Sequence, residues 1–198
     1  MLFRSRSKAR RTLTERHAKA DIRPALAAWR AKQSSDLAKL EALWMRQSID
    51  DVQPALLNET LASSDGRIRA ASVRVASFWQ SRLDKPVDLL AKFVADEHPR
   101  VRMEALRALG KIPSARSAEL ALSAADKPLD KYLEYALWLT VNELAQPWID
   151  SVLSGAWKMD GREKQLEYAL KAIEPAQASK VMARIFEKQS IQIGRAHV

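Results

Sequence analysis

The sequence predicts an all-α chain, an α-solenoid of antiparallel helical pairs, and three observations carry that prediction. Apolar residues recur at helical spacing along most of the 198 residues. Proline and glycine fall between these stretches as punctuation. One short phrase returns at steps of 30, 33, 31 and 33 residues. No strand-like alternation bounded by turns interrupts the pattern.

The elements follow in order. Residues 6–33 read as basic leading helices, and residues 34–190 as repeats of about 30–33 residues. The repeated phrase is Leu40-Glu41-Ala42-Leu43-Trp44, then a diverged Ala71-Ser72-Val73-Arg74. Met103-Glu104-Ala105-Leu106-Arg107, Leu133-Glu134-Tyr135-Ala136-Leu137 and Leu166-Glu167-Tyr168-Ala169-Leu170 complete the series. Its small residues are Ala42, Ser72, Ala105, Ala136 and Ala169; a small side chain lets neighbouring helices approach, and the adjacent leucine fills the shared core. Ile68, Ala71, Ser72, Val75 and Trp79 extend one apolar stripe. A second helix is expected in each unit, over 54–63, 86–96, 114–125, 147–154 and 175–188. Val87, Leu90, Ala91 and Val94 show its spacing. Pro54, Pro86, Pro99, Pro113, Pro147 and Pro175 each stand just ahead of such a pattern, where a missing N–H costs nothing. Gly110, Gly155 and Gly161 fall where helices end. About five helical pairs stacked in this way make a solenoid.

The run from Asp96-Glu97-His98-Pro99-Arg100-Val101-Arg102 to Leu109-Gly110 resembles the second helix of HEAT repeats. In that family an aspartate before the helix and an arginine six residues on form a ladder between units. Asp96 and Arg102 occupy both positions; the previous unit has Arg69 but Ser63 for the aspartate, and the next has Asp126 but Tyr132 for the arginine. The ladder is therefore expected to be incomplete.

The wording also resembles one bacterial family more narrowly. Its members, named membrane-bound dehydrogenases or PVC-type haem-binding proteins, join a β-propeller, HEAT repeats and a c-type haem domain bearing CxxCH. Ala9-Arg10-Arg11-Thr12-Leu13-Thr14-Glu15-Arg16 looks like that family's helix leading into the repeats. Residues 98–109, Leu133-Glu134-Tyr135-Ala136-Leu137-Trp138 and Gln146-Pro147-Trp148 look like its later units. The resemblance implies a spacer between an oxidising domain and its haem acceptor, with flanking domains or another protein as partners. It also implies a periplasmic or other extracytoplasmic location.

Composition excludes much of the remaining chemistry. With no cysteine, these residues hold no disulfide framework, cysteine-ligated metal, thiol nucleophile or CxxCH haem attachment, so any c-type haem belongs to the parent protein. No run approaches the roughly 18 apolar residues of a membrane span, and the basic start lacks the apolar stretch of a signal peptide. HExxH, a phosphate-binding glycine loop and GxSxG are all absent. Of the histidines His17, His98 and His197, His98 precedes Pro99 and is expected to cap a helix. Glu104, Glu134 and Glu167 recur at one place in the repeat, as solvated or ladder positions of a scaffold do. Catalytic, cofactor-binding and metal-ligating residues are accordingly expected to be none. Trp29, Trp44, Trp79 and Trp138 fall on apolar stripes and are expected in the core; Trp148 and Trp157 lie near turns, where they can line a partner surface.

The net charge of +9 suggests a different class of function, a DNA-binding HEAT-like solenoid of the alkylpurine DNA glycosylase type. Its distribution argues against a nucleic-acid partner. Residues 1–33 hold ten Lys/Arg against Glu15 and Asp21, a net +8, and the remaining residues hold 23 against 22, a net +1. A DNA-binding array would spread its cations along the repeats. A non-catalytic scaffold for protein interaction is the expected function.

The two ends carry a separate signal. Leu2-Phe3-Arg4-Ser5 is encoded by CTCTTCCGATCT, and Ile193-Gly194-Arg195-Ala196-His197-Val198 by ATCGGAAGAGCACACGTC. These tracts are reverse complements over their shared part and match a sequencing adapter. Residues 1–5 and 191–198 are therefore expected to be tails, adapter-derived from 193 in the second, on a piece of a longer protein.

Overall fold

The structure is a computed structural model that describes the backbone of residues 2–196 and the side chains of residues 6–187. The side chains of both expected tails lie outside that range, and Met1, His197 and Val198 lie outside the described residues altogether. The chain divides into two compact units, residues 1–86 and 87–198. The first contains α1 (Leu2–His17), α2 (Arg23–Ala31), α3 (Asp36–Ser48), α4 (Pro54–Leu61), α5 (Gly66–Trp79) and a 3-10 turn at Gln80–Arg82. From the border onward run α6 (Pro86–Val94), α7 (Pro99–Leu109), α8 (Ala115–Leu122), a 3-10 turn at Ser123–Asp126, α9 (Lys131–Glu143), α10 (Ala145–Ser154), α11 (Glu163–Ala172) and α12 (Pro175–Ala196). Among the described residues there is no strand. The fold is all-α, of the α-solenoid class.

Local chemistry sets most helix starts. The Ser35 hydroxyl accepts from the Ala38 amide (3.2 Å), Asp65 from Arg67 (2.8 Å) and Ser114 from Ser117 (3.0 Å). Asp130 accepts from both Tyr132 and Leu133 at 2.9 Å. Each supplies an acceptor to an otherwise orphaned amide. His98 does the same for α7, its Nδ1 accepting from Arg100 at 3.3 Å. Pro54, Pro86, Pro99 and Pro175 are the first residues of their helices. Pro147 differs from expectation, because α10 begins at Ala145, with Leu144 alone separating it from α9. The proline sits inside the first turn, where no intrahelical donor is required, and the Trp148 amide takes up the pattern by donating to the Leu144 carbonyl at 3.2 Å. Gly155 ends α10 with a left-handed φ of 81°, a conformation that favours glycine.

The recurring small residues form the centre of each unit. Ala42, Ser72, Ala105, Ala136 and Ala169 are all 4 % exposed or less. In the first unit α3 packs on α4 and α5, with α1 and α2 against α3; in the second α7 packs on α9, and α8 on α9 and α10. Leu43, Val73, Leu106 and Leu137, each next to a small residue, are fully buried. Burying such a side chain contributes about 1.5–3 kcal/mol. Buried hydroxyls are satisfied locally: Ser72 donates to the Ile68 carbonyl (2.9 Å) and Thr140 to the Leu106 carbonyl (3.2 Å).

Polar bonds at the helix ends run largely to backbone carbonyls. Arg102 donates to the carbonyls of Asp96 (2.9 Å), Glu97 (3.2 Å) and, one loop later, Pro128 (3.3 Å). Arg69 repeats the device on the carbonyls of Ser63 and Ser64. Where the arginine is missing, Lys127 reaches the Ala95 carbonyl at 2.7 Å and Gln165 donates to Asp126 at 2.8 Å. Ser63, at the place of the aspartate, donates to Asp36 at 2.6 Å, and this bond with Lys39 holds the Asp36 carboxyl below its usual range.

Burial of the tryptophans departs from expectation in both directions. Trp79 is buried and Trp44 half-buried, but Trp29 and Trp138 are exposed, at 42 % and 43 %. Trp148 and Trp157, expected at a partner surface, are buried against each other edge to face, with centroids 5.9 Å apart. The loop after α10 folds back so that the Trp157 amide donates to the Ser151 carbonyl (3.0 Å), which carries the ring into the core. Glu104 is buried, unlike its exposed counterparts Glu134 and Glu167.

Candidate interaction surfaces

In the second unit the distinctive surface lies on α9. Leu133, Ala136, Leu137, Thr140 and Val141 form its buried face, at i, i+3, i+4, i+7 and i+8. A helix with one such face ordinarily turns polar residues outward. This one turns out Tyr132, Tyr135 and Trp138, exposed by 67 %, 63 % and 43 %. They recur every third residue and so share one side of the helix. Tyr135 and Trp138 stack with centroids 6.0 Å apart, and the Lys131 ammonium lies 4.9 Å over the Tyr132 ring.

Neighbouring helices hold this face in place. The Arg107 guanidinium on α7 grips the Glu143 carboxylate with two bonds of 2.8 and 2.9 Å, and donates to Thr140 Oγ1 at 2.9 Å. From the other side, Asn142 donates to the carbonyls of Trp138 (2.9 Å) and Ala172 (3.1 Å), tying α9 to α11. The Tyr168 hydroxyl on α11 donates to the Glu134 carbonyl at 3.1 Å. Burial, with the Glu134 carboxylate beside it, pushes the Tyr168 hydroxyl up to about 12, so it remains a donor at any ordinary pH. A rigid, solvated aromatic stripe is what a protein partner buries at low entropic cost.

The first unit has a groove of about 650 Å³ between α1, α2 and α3. Leu13, Ile22, Leu26, Trp29, Leu37 and Met45 line its apolar part. Arg6, Arg10 and Arg16 border it along α1, opposed by Glu41. Glu41 already pairs with Arg6 at 3.5 Å, and the Arg10 guanidinium lies 4.9 Å over the Trp44 ring.

The leading helices are basic in sequence and partly paired in place. Arg11 pairs with Glu15 (3.0 Å), Arg23 with Asp21 (2.8 Å) and Arg30 with Glu59. The Arg23 side chain holds the Asp21 carboxyl down to about 2. These pairings leave fewer cations for successive phosphates. His17 stands 3.8 Å from Asp21 and His98 caps α7, and among the described residues no cluster of three or more potential ligands could hold a metal. Nor is any helix among them long and apolar enough to cross a membrane.

Comparison with known families bears on these repeats. Residues 53–139 match the HEAT-repeat family model. The match runs from just before α4 into α9 and takes in the repeated phrases at Ser72, Ala105 and Ala136. No curated protein and no solved structure matches the chain. HEAT repeats are helical scaffolds, commonly used for protein interaction, and the whole aromatic stripe lies within the matched stretch. The repeat pattern alone does not mark Tyr132 and Tyr135 as surface residues. Their signal was present all the same, as apolar residues on both sides of one helical wheel.

Proposed function

We propose that the chain is a non-catalytic, protein-binding scaffold segment of a larger protein. The observation that carries this is the α9 stripe of Tyr132, Tyr135 and Trp138, a second apolar face on a helix whose first is already buried. Solvating such a face has no structural benefit, whereas burying it against a partner does. The parent is a redox protein in which the repeats separate a dehydrogenase propeller from a c-type haem domain. Support comes from the likeness of residues 9–16, 98–109, 133–138 and 146–148 to that family. The flanking domains are then the first partners to test.

Sequencing outward from the coding region identifies the neighbours, with an upstream propeller and a downstream CxxCH expected. Each purified neighbouring domain is then titrated against this chain in a calorimeter. Binding that Tyr135→Ser and Trp138→Ala weaken, with the helical circular dichroism unchanged, is the expected result. Neighbours of another kind overturn the redox assignment, and binding indifferent to both substitutions overturns the role of the α9 face. Tight duplex-DNA binding that falls steeply with salt would instead establish the nucleic-acid function.

A further inference from the structure

We infer that the groove between α1, α2 and α3 receives an acidic amphipathic helix from a partner protein. This goes beyond the role of the α9 face and concerns the other unit of the chain. Three observations choose the occupant. The floor is apolar, with Leu26 and Met45 buried beneath it, so the occupant must bring apolar side chains. The groove is an open trough, with Trp29 and Leu37 on its border exposed by 42 % and 44 %. Such a trough takes the ridge of a helix, presented at i, i+3, i+4 and i+7.

The border supplies the third observation. Arg6, Arg10 and Arg16 face a single carboxylate, Glu41, and Arg6 already satisfies it. Arg16 makes no ion pair with the described residues. The uncompensated charge is therefore positive, and carboxylates flanking the apolar ridge complement it. A second copy docked symmetrically would bring the same arginines against themselves, a repulsive arrangement. α3 spans 13 residues, so about three turns of a partner helix can lie along it.

The test uses the full chain and two labelled peptides of about 15 residues. One carries leucine at i, i+3, i+4 and i+7 with glutamate on its flanks; the other replaces every glutamate with lysine. Fluorescence anisotropy is expected to show saturable binding of the glutamate peptide and none of the lysine peptide. Trp29→Ala and Arg16→Glu, both at exposed positions, should each weaken the binding about tenfold while leaving the circular dichroism unchanged. Equal binding of both peptides overturns the inference, as does binding untouched by either substitution. Laurate titrated in parallel tests a single-chain lipid; binding tighter than that of the peptide assigns the groove to lipid and overturns the inference. Sedimentation showing a dimer that Trp29→Ala dissociates assigns it to a second copy, with the same consequence. None of these outcomes bears on the α9 face, which is tested by its own substitutions.

Discussion

Gly110 lies directly beneath the carboxylate of Glu143: a Cβ added at Gly110 would overlap Glu143 Oε2. The backbone there is right-handed, with φ −55°, so glycine is needed for space and not for conformation. It leaves room for the carboxylate to bridge from α9 back to Arg107 on α7. Gly110→Ala is expected to push the flexible Glu143 side chain off Arg107. The pair is about one-third exposed on each side, which limits the loss to about 0.2–1 kcal/mol. In a chain of this size that lowers the thermal midpoint by a few degrees at most. In a double-mutant cycle with Glu143→Gln, the second substitution should add little once the first has been made.

The small residues of the repeated phrase set the spacing between helices. Ala105 is fully buried in α7, which packs in contact with α9 and α8. Ala105→Leu is expected to overpack that contact and cost about 1–3 kcal/mol, measured by urea denaturation. The same substitution at exposed Ala62, just after α4, should leave the denaturation midpoint nearly unchanged.

Trp148 and Trp157 make a direct test of their burial. Trp148→Ala should cost about 3–5 kcal/mol through the cavity it leaves. Both indole Nε1 groups lack a hydrogen-bond partner among the described residues. Trp157→Phe therefore removes an unpaired donor along with some volume, and should cost clearly less than Trp157→Ala. A loss for Trp157→Phe as large as that for Trp157→Ala would contradict this.

Acid should weaken the second unit through Glu119. Burial pushes its carboxyl up, but bonds from Arg116 on its own helix and from Arg162 ahead of α11 outweigh that and hold it below its ordinary value of 4.5. A depressed carboxyl contributes stability in full above the unfolded value and loses it as pH falls through the folded one. Stability measured at successive pH values should therefore decline below about 4.5. Glu119→Gln should lower stability at neutral pH and flatten that decline.

Features set by short-range forces are legible in the sequence. The helix starts at Pro54, Pro99 and Pro175, the cap at His98 and the burial of all five small residues depend on backbone chemistry and periodicity within a few residues. Pro147 lies inside the first turn of α10 and not at its start, because a proline is equally acceptable at either place and only the packing of α10 chooses between them.

The sequence was sufficient for the all-α repeat class, for the spacing of its units and for the absence of thiol chemistry. These depend on residue types and their period. Tertiary packing decided which aromatic residues face water. Trp138 falls on an apolar stripe and Trp148 near a turn, yet the first stacks on Tyr135 in solvent and the second packs edge to face against Trp157 in the core. The difference arises where the loop after α10 folds back and covers one face, while the outer side of α9 is left open. Packing likewise turned a basic leading segment into a partly neutralised wall of an apolar groove. Acids from outside the run, Glu41 and Glu59, are brought to Arg6 and Arg30, and charge counted along a chain takes no account of which partners folding delivers.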